Sequence, residues 1–202
     1  MNLFELEPNS EKNLLPKDGT ASYYGKLFSK KEADSFYESL FTTIKWEHDK
    51  IFIFGKQTKT DRKVAWYGEK KHEYTYSKIT KTALTWTKKL LELKSKVERV
   101  TGESFNSCLV NLYHNGSEGM GWHSDDEKSL ANNGAIASLS FGSERKFSFK
   151  HKESKSKIEL VLEHGSLLLM KDETQRYWLH QLPKTKKIEK PRINLTFRKI
   201  AE

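Results

Sequence analysis

The sequence predicts one mainly β domain with two flanking helices, an α+β arrangement whose strands form a sandwich or jelly roll. Two observations carry this prediction. Short apolar runs follow one another from residue 105 to the end, and Gly, Asn and Asp separate them. Two longer stretches upstream repeat their apolar residues at helical spacing. A chain of 202 residues fits one hydrophobic core, and no repeat or linker divides it.

The amino-terminal elements follow from local signals. Residues 1–22 carry proline and glycine among polar residues, so we predict an irregular lead-in there and assign the domain to 23–202. A first helix is expected to begin at Ser29, because Ser29 and Glu32 form a capping-box pattern ahead of an apolar stripe.

A second helix is predicted over about 81–100, and Gly102 is expected to end it. Between the helices, residues 45–77 form a β-rich segment in which lysines and arginines alternate with aromatic residues. Beyond them we expect seven strands, at 105–113, 135–141, 146–151, 158–162, 166–170, 177–182 and 192–200.

Composition narrows the class of protein. The chain has 36 basic and 27 acidic residues and a net charge of +9, which favours a polyanionic partner. Cys108 is the only cysteine, so an intrachain disulfide is excluded, and its apolar neighbours predict a buried thiol. The sequence contains neither a membrane span nor a secretory signal, so we expect a soluble, intracellular protein.

Two histidines and an aspartate are candidate metal ligands. His123 and Asp125 are two residues apart, so an extended strand would point both side chains the same way. His180 follows 55 residues later, a separation that a folded β domain closes. Two imidazoles and one carboxylate suit ferrous iron with open coordination positions, and zinc is the competing metal. The other histidines are assigned to ordinary structural positions: His48, His72, His114, His151 and His164.

The predicted last strand carries a second constellation. Arg192 and Arg198 share the parity of Asn194 and Thr196, so all four side chains point from one face. A guanidinium binds a carboxylate through two parallel hydrogen bonds, which suits a dicarboxylic acid. A metal beside an acid co-substrate suggests an oxygenase, whereas the strand alone would be an ordinary amphipathic strand.

Several motifs together resemble one enzyme family. They are Asn111-Leu-Tyr113, Gly121-Trp-His123-Ser-Asp125-Asp126-Glu127, Ile136-Ala-Ser-Leu-Ser-Phe-Gly142, His164-Gly-Ser-Leu-Leu-Leu-Met170, Trp178-Leu-His180-Gln-Leu-Pro183 and Pro191-Arg-Ile-Asn-Leu-Thr-Phe-Arg198. This set resembles the AlkB family of Fe(II)- and 2-oxoglutarate-dependent dioxygenases. Upstream, Phe54-Gly-Lys56 and Tyr74-Thr-Tyr-Ser77 are similar to the branch that repairs double-stranded DNA.

The resemblance implies a fold and a set of cofactor ligands. The fold would be a double-stranded β-helix, a jelly roll over about 103–200, with an N-terminal helical support and a nucleotide-recognition lid over about 45–80. The iron ligands would be His123, Asp125 and His180. Residues that match 2-oxoglutarate contacts are Asn111, Tyr113, Arg192, Asn194, Thr196 and Arg198. Among these, Arg192 matches the arginine that pairs with the distal carboxylate, and Arg198 the one near the keto-acid end.

The same resemblance implies a substrate. The activity would be oxidative demethylation of 1-methyladenine and 3-methylcytosine in DNA, with O₂ as the second co-substrate and an aldehyde released. The base would be flipped out of the stack, and Phe54 matches a finger that fills the gap. Further candidates for base contact are Tyr74, Tyr76, Ser77, Asp126 and Glu127, and for phosphate contact Lys56, Arg62 and Lys63. Asp126 has the alternative role of orienting Arg198, or is solvated.

Two alternatives to this interpretation remain open. The same iron core would serve a demethylase or hydroxylase acting on RNA or protein, and a basic nucleic-acid-binding β domain with a vestigial metal site is the non-enzymatic option. The enzyme is expected to be monomeric. It would lie in the cytoplasm of a prokaryote or in the nucleus of a eukaryote.

Overall fold

The computed structural model describes residues 12–53, 56–69, 73–76, 79–127 and 129–201, without the side chains of 50–58, 73–76 and 79–81. Its helices are α1 (Lys30–Thr43), α2 (Lys88–Thr101) and α3 (Thr174–Tyr177). The first strands are β1 (Thr20–Lys26), β2 (Glu47–Ile53), β3 (Lys56–Gly68), β4 (Glu73–Tyr76), β5 (Ile79–Thr82), β6 (Leu84–Thr85) and β7 (Ser107–Tyr113). The others are β8 (Met120–His123), β9 (Ile136–Gly142), β10 (Arg145–His151), β11 (Lys157–Leu162), β12 (Ser166–Lys171), β13 (Trp178–Leu182) and β14 (Arg192–Arg198).

Two sheets face each other, which confirms the predicted jelly roll. In the part of the chain that the structure describes, the larger sheet has the order β1-β12-β9-β14-β7-β3-β2, with β6 added in parallel to β3. The smaller sheet has the order β11-β10-β13-β8, and β4 and β5 form a separate hairpin. All other strand pairs are antiparallel, so the seven predicted strands after residue 105 become the two walls of one sandwich.

The strand β14 shows how alternation divides the core. Ile193, Leu195 and Phe197 point outward and pack with α1 and α2 over the larger sheet. Arg192 and Asn194, of opposite parity, point into the space between the sheets. Cys108 belongs to the helix-covered core, and burial raises the pKa of its thiol, so it is the inert residue that its neighbours predict.

Helix α1 begins and helix α2 ends at the predicted signals, but α2 begins later than predicted. Ser29 and Glu32 form the expected capping box at the start of α1. Helix α2 begins after Thr87, whose side chain accepts a hydrogen bond from Leu90 N, and not at residue 81. The residues before it, 79–85, are rich in threonine, and this β-branched residue favours strands, which is what they form. Helix α2 ends at Gly102, which has a φ of 73°.

The described part of the predicted lead-in before Thr20 contains no helix or strand, but it folds back and packs on the domain. Asn13 Oδ1 accepts hydrogen bonds from the backbone N–H groups of Leu15 and Ala21, at 3.0 and 2.9 Å, which closes the segment into a compact turn. Leu15 is only 2% exposed and packs in the core between the sheets. Strand β1 then begins at Thr20 and pairs with β12.

None of the described helices combines the length and the apolar character that a membrane crossing requires.

Candidate metal and co-substrate site

The three candidate metal ligands meet at the edge of the smaller sheet. Strands β8 and β13 are adjacent, and their register places His123 opposite His180, with ring centroids 4.2 Å apart. Asp125 lies two residues past the end of β8, and its carboxylate is 4.0 Å from His123 Nε2. One ligand atom from each residue lies within 4.8 Å of the other two. The strand pairing therefore closes the gap of 55 residues, as predicted.

Hydrogen bonds orient these ligands before any metal binds. His123 Nδ1 lies 2.8 Å from Gly121 O, so the ring donates through Nδ1 and keeps the Nε2 lone pair for a metal. Asp125 uses Oδ2 to accept from Arg198 Nη2 at 2.8 Å, which leaves Oδ1 toward the histidines. His180 is buried and stacks against Phe147, with ring centroids 5.6 Å apart.

The protonation states suit metal binding. Burial raises the pKa of the Asp125 carboxyl, but Arg198 and the two imidazoles outweigh burial and lower it to about 2. Burial lowers the pKa of His180 to about 3, although the Asp125 carboxylate opposes this. At neutral pH the site therefore offers a carboxylate and a neutral buried imidazole, the forms that ligate a metal.

A buried arginine without an acidic partner lies beyond the triad. Arg192 is 2% exposed, and its Nη2 donates to Ser140 Oγ at 2.9 Å. Its Nε has no hydrogen-bond partner among the described residues, and none of their carboxylates forms an ion pair with it. Burial, with a smaller contribution from Arg145, lowers the Arg192 pKa to about 10, so the guanidinium is still charged at neutral pH. An uncompensated buried cation is costly unless a ligand supplies the anion.

The other predicted co-substrate residues surround this arginine. Tyr113 lies opposite Arg192 across β7 and β14, and the guanidinium carbon is 5.6 Å from the centroid of the tyrosine ring. Asn194 pairs with Asn111 in the same ladder and donates to Ser138 Oγ at 2.8 Å. The serines of β9 were missed, although their alternation in Ser138-Leu-Ser140 would have placed them on the inner face.

One cavity of about 600 Å³ connects the metal triad with the arginine-bearing face of β14. It is lined by the triad, by the inward side chains of β14 and β7, and by residues of β3. Within the triad, the side chain of His123 is 33% exposed and that of Asp125 only 6%, so the accessible side of the site faces this cavity through His123.

Arg62 is a correction to the predicted phosphate contacts. It is 7% exposed, lines the cavity and forms an ion pair with Asp49 at 2.5 Å. Its Nη1 donates to Asn111 Oδ1 at 3.1 Å. Since a buried, paired guanidinium cannot reach a phosphate on the surface, the structure places Arg62 in the lining of the cavity instead.

Comparison with known proteins identifies the chain. Residues 20–198 match the family described as the 2OG-Fe(II) oxygenase superfamily. The chain belongs to this superfamily. It is 41% identical over 197 residues to mouse "DNA oxidative demethylase ALKBH2", covering 92% of this chain and 82% of the relative. It is 42% identical over 180 residues to cattle "Alpha-ketoglutarate-dependent dioxygenase alkB homolog 3", covering 84% and 62%. These relatives place it in the AlkB family.

A solved structure supports the fold. "The structure of OsALKBH1" superposes with a TM-score of 0.62 at 16% identity and covers 92% of this chain and 98% of that one. Membership in the AlkB family decides between the candidate metals in favour of Fe(II), with 2-oxoglutarate as co-substrate. The buried Arg192 guanidinium has no acidic partner among the described residues and so suits the distal carboxylate of that acid, and the oriented triad suits the metal. Bound Fe(II) would supply oxidation of a C–H bond, while the protein binds, orients and keeps water out.

The substrate side of this AlkB-family site is described only in part. Asp126 is exposed and Glu127 half-buried, and both line the cavity. The role of orienting Arg198 is taken by Asp125, and Asp126 instead accepts from Ser124 Oγ at 3.2 Å. Phe54 and Ser77 lie outside the described residues, as do the side chains of Lys56, Tyr74 and Tyr76. Lys63 is half-buried on β3.

The remaining histidines with described positions lie away from the triad and serve local structure. His114, His151 and His164 pair with Glu118, Asp18 and Asp34, and His48 Nδ1 lies 2.9 Å from Thr60 O.

Proposed function

We propose that this protein is a DNA oxidative demethylase, which removes methyl groups from ring nitrogens of DNA bases and so repairs the damage directly. It would consume 2-oxoglutarate and O₂ and release succinate, CO₂ and formaldehyde. The observation that carries the proposal is the single cavity that holds both the metal triad and the uncompensated Arg192. The names of the mouse and cattle relatives and the net charge of +9 support DNA as the substrate.

The residues divide the work between binding and orientation. Arg192 would hold one end of 2-oxoglutarate, with Asn111, Tyr113, Asn194 and Thr196 around it, while Arg198 fixes Asp125 and meets the keto-acid end. The reacting methyl group would approach along the exposed side of His123, because the other two ligands are buried. Hydrophobic side chains around His180, such as Phe147, exclude water from the reacting centre.

The mouth of the cavity supports a methylated base as the group that enters. The bases 1-methyladenine and 3-methylcytosine carry a positive charge at neutral pH. Asp126 and Glu127 offer carboxylates at this point, which suits a cationic ring. Tyr74, Tyr76 and Ser77 are proposed to complete the base pocket, and a base in a duplex would have to leave the stack to reach it.

Duplex DNA is the proposed preferred form. Strands β2 and β3 pair up to Ile53 and Lys56, and Phe54 falls between these paired ends in the sequence. An apolar side chain there would wedge into the stack where the base has left. Lys56 and Lys63 are proposed phosphate contacts. We further propose that the enzyme acts as a monomer in the compartment that contains the DNA.

The test is a panel of oligonucleotides that carry 1-methyladenine or 3-methylcytosine, in matched single- and double-stranded form. With Fe(II), 2-oxoglutarate and O₂, we expect restored bases and equal amounts of succinate and formaldehyde. Methylated RNA and a methylated peptide should react more slowly, and faster turnover of either would favour the alternative demethylase or hydroxylase. Phe54→Ala should lose more activity on the duplex than on the single strand. If neither DNA lesion is reversed, the proposed function is wrong.

A further inference from the structure

Gln175 contacts the backbone of a metal ligand from behind the triad. It lies on the short helix α3, and its Oε1 accepts a hydrogen bond from Asp125 N at 2.9 Å. Asp125 follows the end of β8, in a segment without regular secondary structure, so no sheet ladder holds this amide. The glutamine therefore holds the backbone of Asp125 in place, just as strand pairing holds the backbones of His123 and His180.

The Gln175 amide is held in place by its own neighbours. Its Nε2 is 3.8 Å from Met170 Sδ, which directs the oxygen toward Asp125. Lys152 Nζ donates to Gln175 O at 3.0 Å and to Ser124 Oγ at 3.2 Å, so one ammonium group joins the helix to the ligand loop. Lys152 thus holds both Gln175 and the residue next to Asp125.

Helix α3 is in turn anchored to the amino-terminal part of the domain. Thr174 is 1% exposed, and its Oγ1 accepts from Thr20 N at 2.8 Å and lies 2.6 Å from Lys171 O. Gly19 packs against it so closely that a Cβ at Gly19 would lie 2.7 Å from Thr174 Oγ1. A helix of one turn becomes rigid in this way, and rigidity is what a support for a metal ligand requires.

We propose that Gln175 is a positioning residue, which fixes the Asp125 carboxylate at the coordination distance that Fe(II) requires. The metal centre itself comes from family membership, and the proposal is independent of the DNA substrate. Partners of metal ligands typically change metal affinity about 10–100-fold when they are removed. The effect of Gln175 should therefore appear in metal binding even when no DNA is present.

The experiment compares two variants of nearly equal volume in the full-length protein. Gln175→Met removes the acceptor, and Gln175→Glu keeps one. Co(II) is titrated into each metal-free protein with 2-oxoglutarate present, and binding is followed by the cobalt absorption bands. We expect the Kd for Co(II) to rise about 10-fold or more in Gln175→Met and to stay near the wild-type value in Gln175→Glu. Arg176→Gln, on the adjacent exposed residue, is the control and should bind as the wild type does.

The melting temperature of each metal-free variant separates positioning from folding. If Gln175→Met melts as the wild type does and binds Co(II) equally well, the proposal is overturned. It is also overturned if Gln175→Glu loses as much affinity as Gln175→Met, since the acceptor would then be irrelevant. If Gln175→Met does not fold, Gln175→Asn replaces it, because the shorter amide cannot span the distance to Asp125 N. The same loss is expected and the same two outcomes decide.

Discussion

Arg198 Nη2 donates to Asp125 Oδ2 at 2.8 Å, and this contact joins the co-substrate strand β14 to the metal triad. Both side chains are largely buried, with 15% and 6% exposure, so the pair is shielded from solvent. The arginine neutralises the ligand that carries the only full negative charge of the triad. The proposed metal and co-substrate sites are therefore connected through this pair, and we expect a substitution in one site to change the binding affinity of the other.

Replacing His180 by Ala should abolish turnover. The variant loses a ligand that the sheet places opposite His123, and two ligands do not hold Fe(II) in a defined geometry. Succinate release measures the loss of turnover, and Co(II) titration measures the loss of metal affinity. His114→Gln is the matched control, since His114 pairs with Glu118 away from the cavity. An unchanged rate in His180→Ala would refute its role as a ligand.

Replacing Arg192 by Met should raise the KM for 2-oxoglutarate by roughly 100-fold, since breaking a buried charge pair costs about 3 kcal/mol. The melting temperature of the variant without co-substrate should not fall, because Arg192 has no acidic partner among the described residues. Thermal melts with and without 2-oxoglutarate check both statements. Ser140→Ala removes one hydrogen bond to the same guanidinium and should weaken the binding of 2-oxoglutarate by about 1 kcal/mol. Equal effects of the two variants would contradict the assignment.

Arg62 and Lys63 should differ although they are neighbours. Arg62→Gln is expected to raise the KM for 2-oxoglutarate, because Arg62 holds Asn111, and to leave the salt dependence of DNA binding unchanged. Lys63→Gln should reduce the slope of log Kd against log salt by about 1, the effect of one lost phosphate contact. Fluorescence anisotropy at several salt concentrations measures the slopes. A reduced slope in Arg62→Gln would show that Arg62 does contact a DNA phosphate, contrary to this prediction.

Gly102→Ala should destabilise the protein by about 1 kcal/mol. Gly102 has a φ of 73°, and a Cβ there would meet no atom within 4 Å, so backbone strain is the only cost. Gly121 has equal space and no positive φ, which makes Gly121→Ala the matched control for stability. Urea unfolding gives both free energies, and equal losses would show that strain at Gly102 is not the cause.

Local patterns predicted the parts of the fold that depend on local physics. The alternation in β14 placed Arg192, Asn194, Thr196 and Arg198 on the inner face because strand geometry has a period of two. The capping box of α1 likewise depends on residues three apart. These features need no knowledge of the rest of the chain.

Contacts between distant residues could not be predicted in the same way. Arg62 is a phosphate-contact candidate by sequence, but its buried partner Asp49 lies at a register shift of β2, between His48 and Lys50, which the sequence does not mark. Gln175 was missed because its partner is 50 residues away and is a backbone amide, which leaves no mark in the sequence. Such pairings depend on register and on loop paths.

The amino-terminal turn before β1 supports the smaller sheet, which carries two of the candidate metal ligands. Lys17 O accepts a hydrogen bond from Trp178 Nε1 at 3.1 Å, and Asp18 pairs with the fully buried His151. Trp178 starts the strand that ends in His180 and Leu182, so this turn braces the wall that carries a metal ligand. A variant that lacks residues 1–22 would keep every candidate catalytic side chain but lose the contacts of this turn with Trp178 and His151. The strand that carries His180 would then keep its pairing with β10 but lose the hydrogen bond of Trp178 to the turn.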